Sequence, residues 1–228
     1  METLEIGQMR TGISDHPKQR MSDHPTGKDR ERENAEDLAI FREFLAGLLL
    51  ATDEDTKRRT LGNHQAREAF TKIYLRYRER VYAYALRVLS NPEDAEDLFQ
   101  EVFFRVYARA KTFQEERSFG GWVFTIAHNL CMNKIRDRKP LDAIEDTTLF
   151  VEPASDFGED WQALIAHAMS LLPVEYREVI ILHEYEGLSY AEITEILHTT
   201  IPSIKSRIYR AKGKLREILA PYYKEIEP

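Results

Sequence analysis

Six cations, Lys205, Arg207, Arg210, Lys212, Lys214 and Arg216, stand between Pro202 and Arg216 with no acid among them. Cations crowded onto one short segment suit phosphate, whose charge they neutralise and whose counterions they release. Ile204, Ile208, Ala211 and Leu215 recur through the same segment at spacings of three or four, so it reads as an amphipathic helix with its charge on the outer face. A second, shorter helix precedes it. Ser189 and Glu192 have the spacing of a capping box, and Ala191, Ile193, Ile196 and Leu197 give that helix a buried face. The polar run His198, Thr199, Thr200 ends it, and Pro202 fits the first turn of the next helix, where a missing N–H costs nothing. Two helices with a tight break and a cationic second member read as a helix-turn-helix. Such a second helix can lie in a major groove, with early side chains at base edges and flanking cations at phosphates.

The whole chain argues superficially against nucleic acid, because its 228 residues carry a formal net charge of −7. Distribution decides otherwise. Leu141 to Asp160 holds seven acids and no Lys or Arg, the reverse of the cationic segment. A chain segregated in this way can meet phosphate with one part and a basic protein with another. Its apolar fraction of 43% is that of a globular protein able to bury real cores. The single cysteine, Cys131, excludes a disulfide framework and a cysteine-rich zinc site and reads as a small buried apolar residue. No secretory signal opens the sequence, and its most apolar run, Leu45 to Ala51, is far short of the roughly 20 residues that cross a bilayer. These features point to a cytoplasmic protein without membrane insertion.

The elements that would position the cations are helical throughout, since no stretch alternates apolar and polar residues with a period of two. Residues 1–34 mix charge with Gly and Pro, repeat Ser-Asp-His-Pro at Ser14 and Ser22, and read as a disordered tail; the paired Asp-His steps are weak evidence for metal. Residues 35–65 comprise an amphipathic helix, with Leu38, Phe41, Phe44, Leu45, Leu48 and Leu49 on its stripe, and a polar connection from Thr52 to Gln65. That stripe needs a cover, either the next domain or a partner protein. A long helix follows from Ala66 to Leu89. Asn91-Pro92-Glu93-Asp94 then restarts the chain with a cap, a proline at the first helical position and acids at the positive end of the dipole. The helix it starts buries Leu98, Val102, Phe103 and Val106 and shows Glu93, Asp94, Glu96, Asp97, Gln100 and Glu101. Thr112 to Gly121 reads as a loop. A further helix from Trp122 to about Arg138 mixes Trp122, Ile126, Leu130 and Ile135 with Lys134, Arg136 and Arg138. Residues 140–160 form a flexible acidic linker, and 161–228 hold short helices from Trp161 and Pro173, a break at Gly187, and the helix-turn-helix. The expected fold is all-α, with two helical domains, 66–139 and 161–228.

This order of parts resembles a bacterial RNA polymerase sigma factor of the extracytoplasmic-function group. Asp94-Ala-Glu-Asp-Leu-Phe-Gln-Glu-Val-Phe103 is similar to the family's region 2.2, and Gly121-Trp-Val-Phe-Thr-Ile-Ala-His-Asn-Leu130 with the following basic run is similar to regions 2.3 and 2.4. Leu172-Pro173, Gly187-Leu-Ser-Tyr-Ala-Glu-Ile193 and Ser206-Arg-Ile-Tyr-Arg-Ala211 resemble region 4. The resemblance implies that Asp94, Glu96, Asp97, Gln100 and Glu101 grip core RNA polymerase, where charge complementarity speeds encounter and fixes register. It implies that Trp122, His128, Asn129, Asn133, Lys134, Arg136 and Arg138 hold the −10 promoter element as single strand, with Phe119 and Phe113 as further candidates for a flipped-base pocket. Unpaired bases stack on aromatic groups while cations follow the backbone. It further implies that Ser203, Lys205, Ser206, Arg207, Tyr209, Arg210 and Lys212 face the −35 duplex. Lys205 stands where arginine is common, and an ammonium lacks the fork that reads guanine bidentately. His128 and Asn133 stand where Arg and Asp are common, so what carries over is the mode of −10 binding and not the base preference. The resemblance also implies promoter DNA and an anti-sigma factor as partners, and a regulon answering stress or envelope signals.

An enzyme is disfavoured. Glu195 and His198 have di-iron spacing without a second copy, His183-Glu184 lacks the partner histidine of a zinc protease, and no glycine-rich phosphate loop occurs. No cofactor, metal or catalytic residue is expected. The alternative is a helix-turn-helix transcriptional regulator with a separate N-terminal interaction domain, which leaves the basic helix from Trp122 without a role. A decoy that keeps only polymerase binding would have no use for that helix either.

Overall fold

The structure, a computed structural model, describes residues 27–115, 117–137 and 161–223, and among these every regular element is helical. Helices α1 (Gly27–Leu50) and α2 (Thr56–Leu89) form an antiparallel hairpin. They approach so closely that a Cβ on Gly47 would stand 2.5 Å from the Ala66 nitrogen, and one on Gly62 would stand 2.4 Å from the Ala51 nitrogen. Only glycine allows that crossing. The stripe of α1 turns inward: Phe41 and Phe44 are fully buried, and Phe41 stacks against Phe113, Phe119 and Trp122. The cover for α1 is therefore the adjoining helices of its own chain.

Both hairpin helices begin earlier than their apolar periodicity does. The connection expected from Thr52 to Gln65 is helical from Thr56, because the Asp55 carboxylate accepts from the Lys57 and Arg58 amides and supplies the N-cap. At its far end α2 stops at Ser90, which adopts the left-handed conformation at φ 53°. Asn91 then caps α3 (Pro92–Ala108) through the Asp94 amide at 2.9 Å, as its sequence predicts. A short 3₁₀ turn, Ala110–Thr112, and a loop lead to α4 (Phe119–Asp137). This helix begins three residues before Trp122, its first turn containing Gly120 and Gly121. The Asn34 side chain of α1 accepts from the Phe119 amide and so caps it from outside. At Gly120 a Cβ would stand 3.1 Å from the Tyr77 hydroxyl, which gives the glycine a packing reason inside a helix.

Helices α5 (Trp161–Ser170) and α6 (Val174–Ile180) follow, and α6 runs on as a π turn over Ile181–Tyr185. Gly187 at φ 66° provides the break. Helix α7 (Tyr190–Ile196) carries the complete capping box: Ser189 Oγ accepts from the Glu192 amide, and the Glu192 carboxylate accepts from the Ser189 amide at 2.8 Å. His198 at φ 49° turns the chain into α8 (Ile201–Tyr223). Ile193, Ile196, Ile204, Ile208 and Ala211 form the core between α7 and α8, and this core is continuous with that of α1 to α4.

Candidate functional site

On α8 the apolar row Ile204, Ile208 and Ala211 is buried, which turns Ser206 and Tyr209 outward, with Lys205 and Arg210 flanking them. Tyr209 is 78% exposed. Lys205 sits over the Tyr190 ring, its Nζ 5.7 Å from the centroid, so α7 steadies the ammonium end of that side chain. Ser203 and Arg207 lie at one edge, half-buried, with Arg207 3.8 Å from Glu175; Lys212 lies at the other and pairs with Glu184 at 2.7 Å. A Cβ on Gly213 would meet nothing within 4 Å. The face is open along more than three turns and its centre carries no acid.

Helix α4 is differently placed. Asn129 and Arg136 are exposed and Asn133 is half-buried, and with Thr125 and Met132 they line one strip at helical spacing. Thr125 and Met132 escaped the sequence reading, though their offsets of four and three from neighbouring members would have found them. The remaining candidates are engaged elsewhere. Lys134 Nζ lies 2.9 Å from Asp94 and 3.3 Å from Asp97, and the hydrogen bond to Asp94 leads in raising its pKa above the ordinary value. Trp122 is half-buried among Phe41, Phe113 and Phe119. Phe119 requires correction as a DNA contact: it is fully buried in the core where α1, α2 and α4 meet, and Phe113 shares that cluster. Arg138 lies outside the described residues.

Asp94 and Glu101 of α3 are half-buried, whereas Glu96, Asp97 and Gln100 are exposed. Glu101 also pairs with Arg105 one turn on, at 2.6 Å. Phe104 continues the Gln100 row at i+4 and is 59% exposed, an apolar member of the acidic strip that the sequence reading left out.

His128 points away from the strip into a seam between α4 and α6. Its Nδ1 lies 2.6 Å from a Glu178 oxygen that also accepts the hydroxyl of Tyr84. Glu178 is only 3% exposed, and burial beside it pushes the Tyr84 phenol well above its ordinary pKa. One turn away along α2, Arg80 donates through Nε to Glu186 and through Nη1 to Glu33, each at 2.9 Å, and lies over the Tyr77 ring. Burial raises the Glu186 carboxyl above its usual range, opposed by Arg80. Arg177 completes the seam. Its guanidinium donates to the Arg87 and Val88 carbonyls and Ser90 Oγ of the first unit, and to the Ser170 and Leu172 carbonyls of the second. It thereby fills the negative end of α2, where last-turn carbonyls have no helical donor. None of the six residues that meet across the seam, Arg80, Tyr84, His128, Arg177, Glu178 and Glu186, signals that contact in the sequence, because each needs the opposite unit to complete it.

No group of three or more His, Cys, Asp or Glu side chains among the described residues could hold a metal, and no described helix is long and apolar enough to cross a membrane. Residues 73–140 match the family described as Sigma-70 region 2, and residues 162–215 match Sigma-70, region 4. The chain is similar to the ECF RNA polymerase sigma factor SigW of Bacillus subtilis, at 34% identity over 67% of this chain and 89% of that protein. It is also similar to the ECF RNA polymerase sigma factor SigE of Mycolicibacterium smegmatis, at 32% identity over 72% of this chain and 66% of that one. Among solved structures, the sigma factor RpoE in complex with the anti-sigma factor NepR from Bartonella quintana superposes with a TM-score of 0.55 at 29% identity, covering 66% of this chain and 96% of RpoE.

Proposed function

The chain belongs to the extracytoplasmic-function group of RNA polymerase sigma factors and directs transcription initiation from promoters; from that premise we propose how its surfaces divide the task. Residues 66–139 form the unit for core polymerase and the −10 element, residues 161–228 the unit for the −35 element, and 140–160 the linker. Glu96, Asp97 and Gln100, flanked by Asp94 and Glu101, meet a basic surface of core polymerase. Ser206, Tyr209, Lys205 and Arg210 enter the −35 duplex, with Ser203, Arg207 and Lys212 toward the phosphates. Asn129, Asn133 and Arg136, joined by Trp122, His128, Lys134 and Arg138, hold the −10 strand after melting. The chain makes and breaks no covalent bond; nucleotide addition belongs to the polymerase. It works in the cytoplasm, where polymerase and promoter are, and an anti-sigma factor is among its partners, as NepR is for RpoE.

The observation that carries this reading is the outward row on α8, exposed and cationic on a chain that also bears an acidic strip on α3. Core RNA polymerase supplemented with this protein is expected to start transcription from a subset of promoters on linear template. Tight duplex binding by the protein alone, with the polymerase left inert, would support a free-standing helix-turn-helix regulator instead.

A further inference from the structure

We infer that the tip of the α1–α2 hairpin is a second docking element for core RNA polymerase, taking an acidic, apolar-lined surface of the enzyme while α3 takes a basic one. For its place beside α3, this rests on the reading of α3 as the polymerase helix. Between Asp55 and Glu68 the start of α2 holds Lys57, Arg58, Arg59 and Arg67 and no acid, and all four cations are exposed. Arg58 has Asp53 at 3.6 Å, whereas Lys57, Arg59 and Arg67 pair with no acid among the described residues. Leu61 is 60% exposed and lies in an open groove with Thr56, Lys57, Thr60 and His64. Leu49, the last member of the α1 stripe, stays outside the core at 64% exposed. Leucines left in water among unpaired cations serve no contact within the fold. They suit a partner that offers both carboxylates and an apolar recess.

The tip is held ready for such a partner. The close crossings at Gly47 and Gly62 lock its two arms, Thr52 Oγ1 donates to the Leu49 carbonyl at 2.7 Å, and Asp53 accepts the Asp55 amide at 2.9 Å. Little ordering remains to be done on binding. The tip also continues the strip of α3. That strip passes from Glu96 and Gln100 to Phe104 and Tyr107, and the Tyr107 ring packs on Phe44 and Phe70 of the hairpin at 5.3 and 5.2 Å. Leu61 stands nine residues further out on α2, about 14 Å along the helix. Charge changes sign along this path, acid on α3 and cation on the hairpin, so one bipolar surface of the enzyme fixes the register of the chain. The tip lies ahead of residues 73–140, which match the family's region 2. Duplex DNA would also take the cations, but phosphate offers nothing to Leu61, whereas the α8 face centres on Ser206 and Tyr209, which can hydrogen-bond.

Titration of the labelled full chain with core RNA polymerase tests this. Leu61→Ser is expected to weaken core affinity about tenfold. Lys57→Glu combined with Arg59→Glu should weaken it by about tenfold at low salt, and by less as salt rises. All three side chains are exposed, so the melting temperature and −35 duplex binding should match those of the parent chain. Thr60→p-benzoylphenylalanine should cross-link to a polymerase subunit under light. Unchanged core affinity in both hairpin variants overturns the inference, and so does a cross-link to promoter DNA with holoenzyme–promoter binding weakened at unchanged core affinity. Glu96→Lys separates the hairpin from α3. Affinity lost with Glu96→Lys but not with the hairpin variants leaves α3 standing and removes the hairpin contact. Affinity lost with the hairpin variants alone sinks the assignment of α3 and leaves the hairpin contact standing.

Discussion

Two helices of this molecule carry cations suited to DNA, and the fold treats them differently. On α8 the row through Ser206 and Tyr209 faces solvent, and the cation–ring contact of Lys205 on Tyr190 comes from its own helix-turn-helix. On α4, Lys134 is tied to the acidic helix, His128 to the second unit and Trp122 to the aromatic core. On the proposed assignment, the difference follows from what each must meet. A duplex presents its grooves ready-made, so its reader can stand complete. A single strand exists only after melting, and on the proposed assignment a reader that keeps some of its side chains partnered and leaves Asn129, Asn133 and Arg136 on an open strip is matched to a ligand that appears late.

The heaviest blow to this contrast is expected from Arg177→Ala. Its guanidinium donates to carbonyls at the ends of α2 and α5 and to Ser90 Oγ, and removal leaves buried acceptors unpaired in both units. Urea unfolding should show a loss of about 3 kcal/mol. An unmoved midpoint would mean the seam contributes nothing to stability. A smaller effect separates the two readers directly. Arg210→Ala should weaken −35 duplex binding by about 1–3 kcal/mol and flatten its salt slope by about one, leaving −10 strand binding alone. Asn129→Ala should do the converse, and any variant that moved both affinities equally would erase the distinction.

The weakest effect sharpens the seam through pH. Because the Glu186 carboxyl is raised above its ordinary 4.5, the folded chain holds its proton more tightly than the unfolded chain. Stability is then greatest below 4.5 for this group and falls as pH rises through the raised value, by at most about 1.4 kcal/mol per pH unit. Asp37, raised by burial beside Tyr77, moves the same way. Unfolding measured against pH should therefore flatten in part with Glu186→Gln and further with Asp37→Asn added. A slope that neither substitution changes would place the linkage elsewhere.

Local chemistry made much of this legible before any coordinates. Ser189 with Glu192, Asn91 with Pro92, and Gly187 each specify a helix end by hydrogen-bond geometry that two or three neighbouring residues complete. The outward row of α8 follows from its buried row in the same way. Where the reading fell short, the deciding partner was distant. Helix α4 reaches back to Phe119 because Asn34 caps it, and α1 extends forward from its stripe to Gly27, with Glu33 on Arg80 among its anchors. Phe119 looked like a loop aromatic until α1 covered it. Glu178 and Glu186, with ordinary acidic neighbours in sequence, acquire meaning only from Tyr84, His128 and Arg80 across the seam.

The cap that Arg177 places on α2 has a mechanical consequence. Ser90, whose Oγ it binds, is followed at once by Asn91, the residue that starts the acidic helix α3. When the second unit lifts away, the Arg87 and Val88 carbonyls pass from a guanidinium to water, and the amides of the last turn of α2 should exchange with deuterated solvent faster. On the proposed division of the task, the junction that aims α3 is thus the place where a movement of the −35 unit would be registered. A polymerase that grips α3 at Asp94 to Glu101, as proposed, would hold the molecule beginning about one turn from that signal.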